Sequence, residues 1–278
     1  MGLRIKTNIA SVAVQKDLRK VDQTTSDSYA KLSSGKRIIK SADDAAGLGI
    51  AKKMEAEVRG LRMAQRNAGA GISLIQVAEG GLDESTNILT RLRELSIQAA
   101  SDTVGETERG YLNLEYEQLV EEADRISKTT TFGGQELLTG ENANGLMEFH
   151  VGAYGDQMNK IQFDSQATNA TAENLGIAGT NILNKDSASD NLEKIDDAIT
   201  QVAGFRANFG AIQSRLQSTI TNLDTAAVNT SAAKSQIEDV DVAEETAKLA
   251  SANVMKQAGI SSLAQANNIP NSAIRLIG

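Results

Sequence analysis

The chain has 278 residues, a net charge of −8 at neutral pH and only 3% aromatic residues; it has no cysteine or tryptophan and one proline. Without cysteine there can be no disulfides, zinc–thiolate sites or thiol nucleophiles, and the single histidine, His150, excludes His-rich metal sites and an HExxH motif. This composition favours long helices with a thin aliphatic core over an ordinary globular domain.

The charge differs between the two ends of the chain. Residues 1–40 carry nine Lys and Arg against three Asp, whereas residues 236–278 carry three bases against five acids. A basic segment can bind nucleic acid, but no aromatic residue that could stack on a base lies among these basic residues before Tyr29. We interpret the basic segment as a solvated or internally paired helix face and expect no nucleic-acid partner.

The first predicted helix carries a weak coiled-coil seam, because its seam positions recur at spacings of four and three residues. These positions are Val14, Leu18, Val21, Thr25, Ser28 and Leu32. Gly35 is placed as a helix C-cap, and the stretch from Ser41 to Asp44 fits the start of a new helix with carboxylates in its first turn. The sequence therefore predicts a helix, a short polar joint and a second helix.

The second helix is predicted from about Asp44 to about Ala100, because its spacing of four and three residues continues without a slip. At 1.5 Å per residue it would be roughly 85 Å long. A turn at 101–106 follows. Apolar spacing from Leu112 to Ile126 then predicts a third helix that packs antiparallel to the second.

The pattern changes between about residues 131 and 189. Apolar residues alternate with others on both sides of a glycine-containing loop, which is typical of a β-hairpin: Met147, Phe149 and Val151, then Ile161 and Phe163. His150 is then expected to face solvent. Residues 164–189 are rich in Ser, Thr, Asn and Ala, and we predict that they form a surface connection.

A fourth helix is predicted from about Asp190 to about Ser235, followed by a weakly amphipathic helix that breaks near Pro270. The stretch from Gln257 to Ile274 is uncharged, but its Gln and Asn residues would be costly in lipid. We therefore expect no membrane insertion.

These elements predict a mainly α fold: an elongated antiparallel helical bundle or coiled coil with paired terminal helices and a small β-hairpin element. Residues 44–235 would form the bundle domain, with the β element at about 131–189. Residues 1–43 and 236–278 would form the terminal pair, whose helical arms run over about 1–34 and 240–277.

The two arms have too little apolar surface to offset the entropy of ordering them alone. We expect them to be disordered in the isolated subunit and to fold when they dock on neighbouring subunits. The residues predicted to form their assembly seams are Val14, Leu18, Val21 and Leu32 in the N-terminal arm, and Leu249, Met255 and Leu263 in the C-terminal arm.

Several long segments resemble bacterial flagellin, in that family's order and over nearly the whole chain. They are LSSGKRI, SADDAAGLGIA, RNAGAGISLIQVAEGGLDE, LTRLRELSIQAA, FHVGAYGDQMNKIQF, NFGAIQSRLQSTITNL, SQIEDVDVAEETAKLA and QAGISSLAQANNIPNSAIRLIG. The resemblance implies a subunit of the hollow helical filament that drives swimming motility, with the terminal helices lining its inner tube. Residues 164–189 leave no room for the family's variable outer domains, so a short form is implied.

The resemblance also implies partners and a location. Flagellins are exported unfolded by the flagellar type III apparatus, without a cleaved peptide, into an extracellular filament. An export chaperone binds the C-terminal arm, and cap and hook-junction proteins adjoin the filament. A Toll-like innate-immune receptor recognises the bundle face of some flagellins, and the matching positions here are Arg91, Leu95 and Glu115. Each could equally be an ordinary helix residue, with Leu95 buried and Arg91 paired with Glu94.

Two functions other than that of a filament subunit remain to be considered for this sequence. A hook–filament junction protein of the same superfamily would have similar termini. An enzyme would need a catalytic constellation, but the adjacent carboxylates Asp43–Asp44 and Glu121–Glu122 do not face each other on a helix. No glycine-rich phosphate loop is present in the sequence. We therefore expect a structural protein without cofactors.

Overall fold

The computed structural model describes residues 7–140 and 146–277, with the backbone alone from residue 269 onward. Five long helices lie in this part of the chain: α1 (Ile9–Ser34), α2 (Ala45–Ala99), α3 (Glu106–Thr129), α4 (Lys185–Glu238) and α5 (Val242–Ile277). The mainly α fold with paired terminal helices and a small β-hairpin is confirmed.

Two short antiparallel hairpins separate α3 from α4. Strand β1 (Thr131–Phe132) pairs with β2 (Gln135–Glu136), and β3 (Leu146–His150) pairs with β4 (Lys160–Asp164). The second hairpin is the one that the alternating pattern predicted, with Phe149 opposite Ile161 and Met147 opposite Phe163. His150 is half-buried, and its carbonyl oxygen accepts a hydrogen bond from Asn67 (3.0 Å).

The chain divides into two compact units. We call Glu57–Val228 the central unit, and Met1–Ala56 with Asn229–Gly278 the terminal unit. The sequence-based boundary at 43/44 lies just before α2, whereas the boundary at 235/236 lies within the last turn of α4. Both stay a prediction about domain organisation.

The central unit has a continuous aliphatic core with a few large aromatic side chains. The rings of Phe163 and Phe209 lie 5.3 Å apart, and the buried Tyr116 hydroxyl is 2.9 Å from Thr180 Oγ1. Burial raises the pKa of Tyr116, while the hydrogen bond to Thr180 partly offsets that effect. The seam of α2 supplies much of the core: Ile75, Ala78, Leu82, Leu89, Leu92 and Leu95.

The prediction that residues 164–189 form a surface connection is wrong. Six apolar side chains of this segment lie in the central core: Ala170, Ala172, Leu175, Ile177, Ile182 and Ala188. Long-range hydrogen bonds hold the segment there, from the Ala170 amide to the Leu138 carbonyl (2.8 Å) and from the Ile182 amide to Asn113 Oδ1 (2.9 Å). The sequence pattern did not indicate their burial, because these apolar residues are spaced irregularly among polar residues.

The joint after α1 has the predicted caps. Gly35 ends the helix in the left-handed conformation (φ 69°), which glycine adopts at little cost. The Asp43 carboxylate accepts hydrogen bonds from the amides of Ile39 (3.0 Å) and Lys40 (2.9 Å), and these bonds lower the pKa of Asp43. Asp44 accepts a hydrogen bond from the Gly47 amide (2.8 Å) at the start of α2.

The predicted break near Pro270 is wrong, because α5 continues to Ile277. Across residues 7–140 and 146–277, none of the helices combines the length and apolar character needed to cross a bilayer.

Candidate assembly surfaces

The two terminal helices, α1 and α5, form an antiparallel pair that is held by polar contacts. Near one end, Asn8 Nδ2 donates to the Ala266 carbonyl (2.8 Å). Midway, Lys256 Nζ lies 2.8 Å from Asp22 Oδ1, and near the other end Ser28 Oγ lies 2.6 Å from Glu245 Oε1. These contacts are spread along the length of the pair.

The buried residues of this pair are small or polar. On α1 they are Ser11, Thr25 and Ser28, and on α5 they are Glu245, Ala252 and Ala266. The helices approach closely at Gly259, where a β-carbon would lie 2.5 Å from Leu18 Cδ1. An interface of this kind removes little apolar surface from water, so it contributes little hydrophobic stabilisation.

The outer faces of the terminal unit carry large apolar side chains that are exposed to solvent. They are Ile9, Val12, Tyr29, Ile39 and Ile50 on the N-terminal side, and Val242, Val254, Met255 and Ile260 on α5. Val254 is 68% exposed and Ile9 is 60% exposed. Exposed apolar surface of this kind is typical of sites of interaction with other proteins.

The predicted seam residues fall into two groups. Six are half-buried: Val14, Leu18, Val21, Leu32, Leu249 and Leu263. Met255 is 50% exposed. It therefore belongs with the exposed apolar residues of α5. The role of all seven residues in assembly stays a prediction.

A cluster of charged residues joins the segment after α1 to the end of α4. Glu238 is 1% exposed; its Oε1 lies 2.5 Å from Lys36 Nζ, and its Oε2 lies 3.3 Å from Lys234 Nζ. Lys36 and Asp239 form an isolated antiparallel β-bridge. We call this arrangement the joint clasp: residues 35–38, Lys234 and residues 237–240.

The charges of the joint clasp stabilise one another's ionised forms. The hydrogen bond from Lys36 lowers the pKa of Glu238, against the opposing effect of burial. The same hydrogen bond raises the pKa of Lys36. Local sequence patterns do not reveal this cluster, because Glu238 is one of several closely spaced acidic residues and its partner Lys36 lies about two hundred positions earlier.

The three positions that match the receptor-binding stretch differ in exposure. Arg91 and Glu115 are exposed, and their guanidinium and carboxylate groups are 2.8 Å apart. Arg91 NH1 also lies 2.9 Å from Glu94, and these partners raise the pKa of Arg91. Leu95 is 1% exposed and packs in the central core, so it offers no side-chain surface to a partner. The receptor-facing role predicted for Leu95 is corrected accordingly.

The central unit also has an open groove of about 430 Å³ between the second hairpin and α4. Arg215 is its only charged lining residue, and the others are Val151, Met158, Asn159, Ile161, Ser214, Ser218 and Thr219. No group of three or more potential metal ligands occurs within the residues that the structure describes. The most distinctive surfaces are therefore the apolar outer faces of the terminal unit.

Family comparisons address both halves of the chain. A model of the bacterial flagellin N-terminal helical region matches residues 5–143, and a model of the C-terminal helical region matches residues 192–277. The chain belongs to the bacterial flagellin family. The short form is consistent with its length of 278 residues.

Relatives cover nearly the whole of this flagellin. It is 42% identical to the flagellin of Halalkalibacterium halodurans over 89% of each chain. It is 38% identical to the flagellar filament core protein flaB2 of Brachyspira hyodysenteriae, over 98% of this chain and 99% of that protein. The flagellin of Bacillus subtilis is 36% identical over 99% of this chain and 100% of its own length.

Solved structures agree with the fold. The crystal structure of Bacillus cereus flagellin, 29% identical, aligns with a TM-score of 0.51 over 61% of this flagellin and 94% of that chain. A hook-associated protein candidate from Vibrio parahaemolyticus aligns with a TM-score of 0.58 over 71% of this chain and 100% of its own. That second protein is 16% identical, so it shows a shared fold only.

Proposed function

We propose that this flagellin is a structural subunit that polymerises into the helical bacterial flagellar filament used for swimming, and that its two terminal helices carry the assembly contacts. Its relatives include full-length proteins named as flagellins and as filament core proteins. The role is structural and non-catalytic.

The observation that carries the assembly proposal is the distribution of apolar residues in the terminal unit. Its inner contacts use Ser11, Thr25, Ser28 and Glu245, whereas Val254 and other large apolar residues face water. In a helical polymer, each subunit contacts its neighbours through non-identical surfaces that do not close into a ring. Neighbouring subunits would cover the apolar faces and supply the hydrophobic free energy that the α1–α5 pair lacks.

The same distribution of apolar residues would restrict assembly to places where neighbouring subunits are already present. An arm pair with little buried apolar surface is marginally stable alone, so we expect it to be disordered in the free subunit. Its ordering cost is then offset only when neighbours are present, as they are at the growing end of a filament. This expectation concerns the free subunit in solution, and amide hydrogen exchange would measure it directly.

Membership of the family supports further partners and a location. We propose export through the flagellar type III apparatus to an extracellular filament, with an export chaperone bound to the C-terminal arm and with cap and hook-junction proteins beside the filament. Arg91 and Glu115 remain candidates for contact with a Toll-like receptor, since both are exposed. Their mutual ion pair would have to open or be shared with such a partner.

A hook–filament junction protein is the second candidate, because the Vibrio parahaemolyticus structure shares the fold. The filament role is preferred, since the full-length relatives at 36–42% identity include flagellins and a filament core protein. The two roles predict different abundance: a filament subunit would be much more abundant than a junction protein. Quantifying the protein in sheared flagella would distinguish them.

Truncation tests the assembly proposal. Removing residues 1–35 or 243–278 should leave a soluble, helical monomer that no longer forms filaments under conditions where the full chain does. Electron microscopy and sedimentation give the readout, with Lys194→Gln on the exposed face of α4 as the full-length control. Normal polymerisation of either truncated chain would contradict the role of the arms, and failure of the full chain to polymerise would contradict the filament role.

A further inference from the structure

The joint clasp holds the most deeply buried carboxylate described in the terminal unit. Glu238 is 1% exposed although its length and charge favour solvent. Burying a charge is unfavourable unless ion pairs and hydrogen bonds compensate. Here Lys36 and Lys234 each face one carboxylate oxygen, at 2.5 Å and 3.3 Å. Lys234 Nζ also lies 4.0 Å from Glu55 Oε2.

Backbone hydrogen bonds reinforce the same attachment. The Glu238 carbonyl accepts from the amides of Arg37 (2.7 Å) and Ile38 (3.4 Å), and the Val240 amide donates to the Gly35 carbonyl (3.1 Å). In addition, the Arg37 guanidinium donates to the Ile237 carbonyl (2.7 Å). The segment after α1 is therefore fixed to the end of α4 through both side chains and backbone.

The joint clasp lies next to the adjoining ends of both terminal helices, so it can influence how α1 and α5 align. Helix α1 ends at Ser34, one residue before the clasp, and α5 begins at Val242, two residues after it. Between α1 and α5 the buried residues are mostly small and polar. The larger aliphatic residues of the pair are only half-buried, so neighbouring registers should differ little in buried apolar area.

We propose that Glu238 is a positioning residue for filament assembly: through Lys36 and Lys234 it sets the register in which α1 and α5 pair. The proposal rests on the proposed function, in which the arm pair makes the assembly contacts. With the clasp intact, the apolar outer residues of both helices form one defined surface for a neighbouring subunit. Without it, the pair slips and that surface no longer matches its neighbours.

A purely stabilising role would act differently. Loss of a stabilising residue would lower the amount of ordered arm pair while leaving its register unchanged. Loss of a positioning residue changes the register among the pairs that do form. The decisive readout is therefore the register itself, measured beside polymerisation.

The register can be measured by cross-linking, because the chain has no native cysteine. Asp22→Cys with Lys256→Cys joins positions that face each other in the structure, where the native side chains are 2.8 Å apart. Ser26→Cys with Lys256→Cys instead reports a slip of one helical turn. A short bismaleimide should link the first pair faster than the second when Glu238 is present, because a shift of four residues adds about 6 Å along the helix axis.

The test variant is Glu238→Gln in the full-length chain. We expect its critical concentration for polymerisation to rise about tenfold, which corresponds to roughly 1.4 kcal/mol. We also expect cross-linking to shift from the aligned pair towards the slipped pair. The matched control is Glu244→Gln, which removes one negative charge from an exposed residue of α5 that pairs with Lys248 at 2.7 Å.

Two further variants keep the test decisive if Glu238→Gln fails to fold. Lys36→Gln removes the nearest partner but leaves Lys234 to neutralise the carboxylate. The double variant Lys36→Met with Glu238→Met removes both charges and leaves neither group buried alone, and apolar replacements of this kind often preserve stability. Each should still shift the cross-linking towards the slipped pair.

The outcomes separate this proposal from the proposed function. If the wild-type chain does not polymerise, the filament role fails. If the wild-type chain polymerises and all clasp variants match Glu244→Gln in critical concentration and cross-linking, the positioning role of Glu238 is overturned. If the critical concentration rises while the aligned cross-link stays dominant, Glu238 is stabilising only, and the positioning role is again overturned.

Discussion

The central and terminal units bury different kinds of residue. The central unit encloses large apolar side chains, including Phe163, Phe209 and the apolar seam of α2. Between α1 and α5, the terminal unit buries serine, threonine, alanine and a glutamate. One unit has the core of an independent folding domain, and the other has surfaces that need neighbours.

The free energies involved explain this contrast. Burying one large aliphatic or aromatic side chain contributes about 1.5–3 kcal/mol, so the central core can offset the chain entropy lost on folding. Alanine and serine contribute much less. The terminal unit instead leaves several large apolar side chains, such as Ile9 and Val254, more than half exposed, so another molecule would have to bury them.

The largest effect is expected from Phe209→Ala in the central core. Phe209 is fully buried against Phe163, and its removal leaves a cavity that should cost about 3–5 kcal/mol of unfolding free energy. Urea unfolding of the chain lacking residues 1–35 would measure it without contributions from assembly. A change under 1 kcal/mol would contradict an independent core in this unit.

Acid should loosen the terminal unit before the central unit. The pKa of Glu238 is lowered by its hydrogen bond to Lys36, so its stabilisation is complete above the unfolded value of about 4.3 and is lost as pH falls through the lower folded value. The protection of the α1 and α5 amides in the polymer, corrected for the pH dependence of intrinsic exchange, should therefore fall below about pH 4.3.

The matched control for the acid experiment is Glu238→Gln. The amides of its arms should already be less protected at neutral pH, and acid should lower that protection less than in the wild type. Equal acid sensitivity in both proteins would show that other carboxylates cause the effect.

Two glycines in helix interiors should respond in opposite directions to alanine. At Gly210 a β-carbon meets nothing within 4 Å, so Gly210→Ala should stabilise the central unit by about 0.5–1 kcal/mol through helix propensity. At Gly259 the β-carbon would lie 2.5 Å from Leu18 Cδ1, so Gly259→Ala should displace that side chain and weaken polymerisation. Thermal unfolding measures the effect of Gly210→Ala, and the critical concentration for polymerisation measures the effect of Gly259→Ala. If both variants are stabilising, close packing between α1 and α5 is contradicted.

The smallest effect is expected at the exposed pair Arg91–Glu115. Exposed ion pairs contribute little to stability, so the double variant Arg91→Ala with Glu115→Ala should unfold at the wild-type midpoint. Any change in receptor signalling or filament formation would then reflect lost surface contacts. The control is Leu95→Ala, which should lower the midpoint because Leu95 lies in the core.

Much of the fold could be predicted because it repeats locally along the chain. The unbroken four-and-three spacing places α2 within a residue or so of its observed limits of Ala45 and Ala99, and the alternation around Phe149 identifies the β3–β4 hairpin. Gly35 and Asp44 mark the joint because their capping geometry depends on nearby backbone. Each of these signals lies within one element, where the period of the backbone decides which residues share a face.

What the sequence determined by itself is the family, the order of elements and the weakness of the arm seams. Only the tertiary structure showed that Ile177 and Ile182 are buried, that Leu95 is enclosed while Arg91 is exposed, and that Glu238 meets Lys36. Those facts depend on which distant segments pack together. A local pattern cannot specify them, because the free energy of a buried charge or an irregular apolar residue is set by partners that may lie two hundred residues away in the chain.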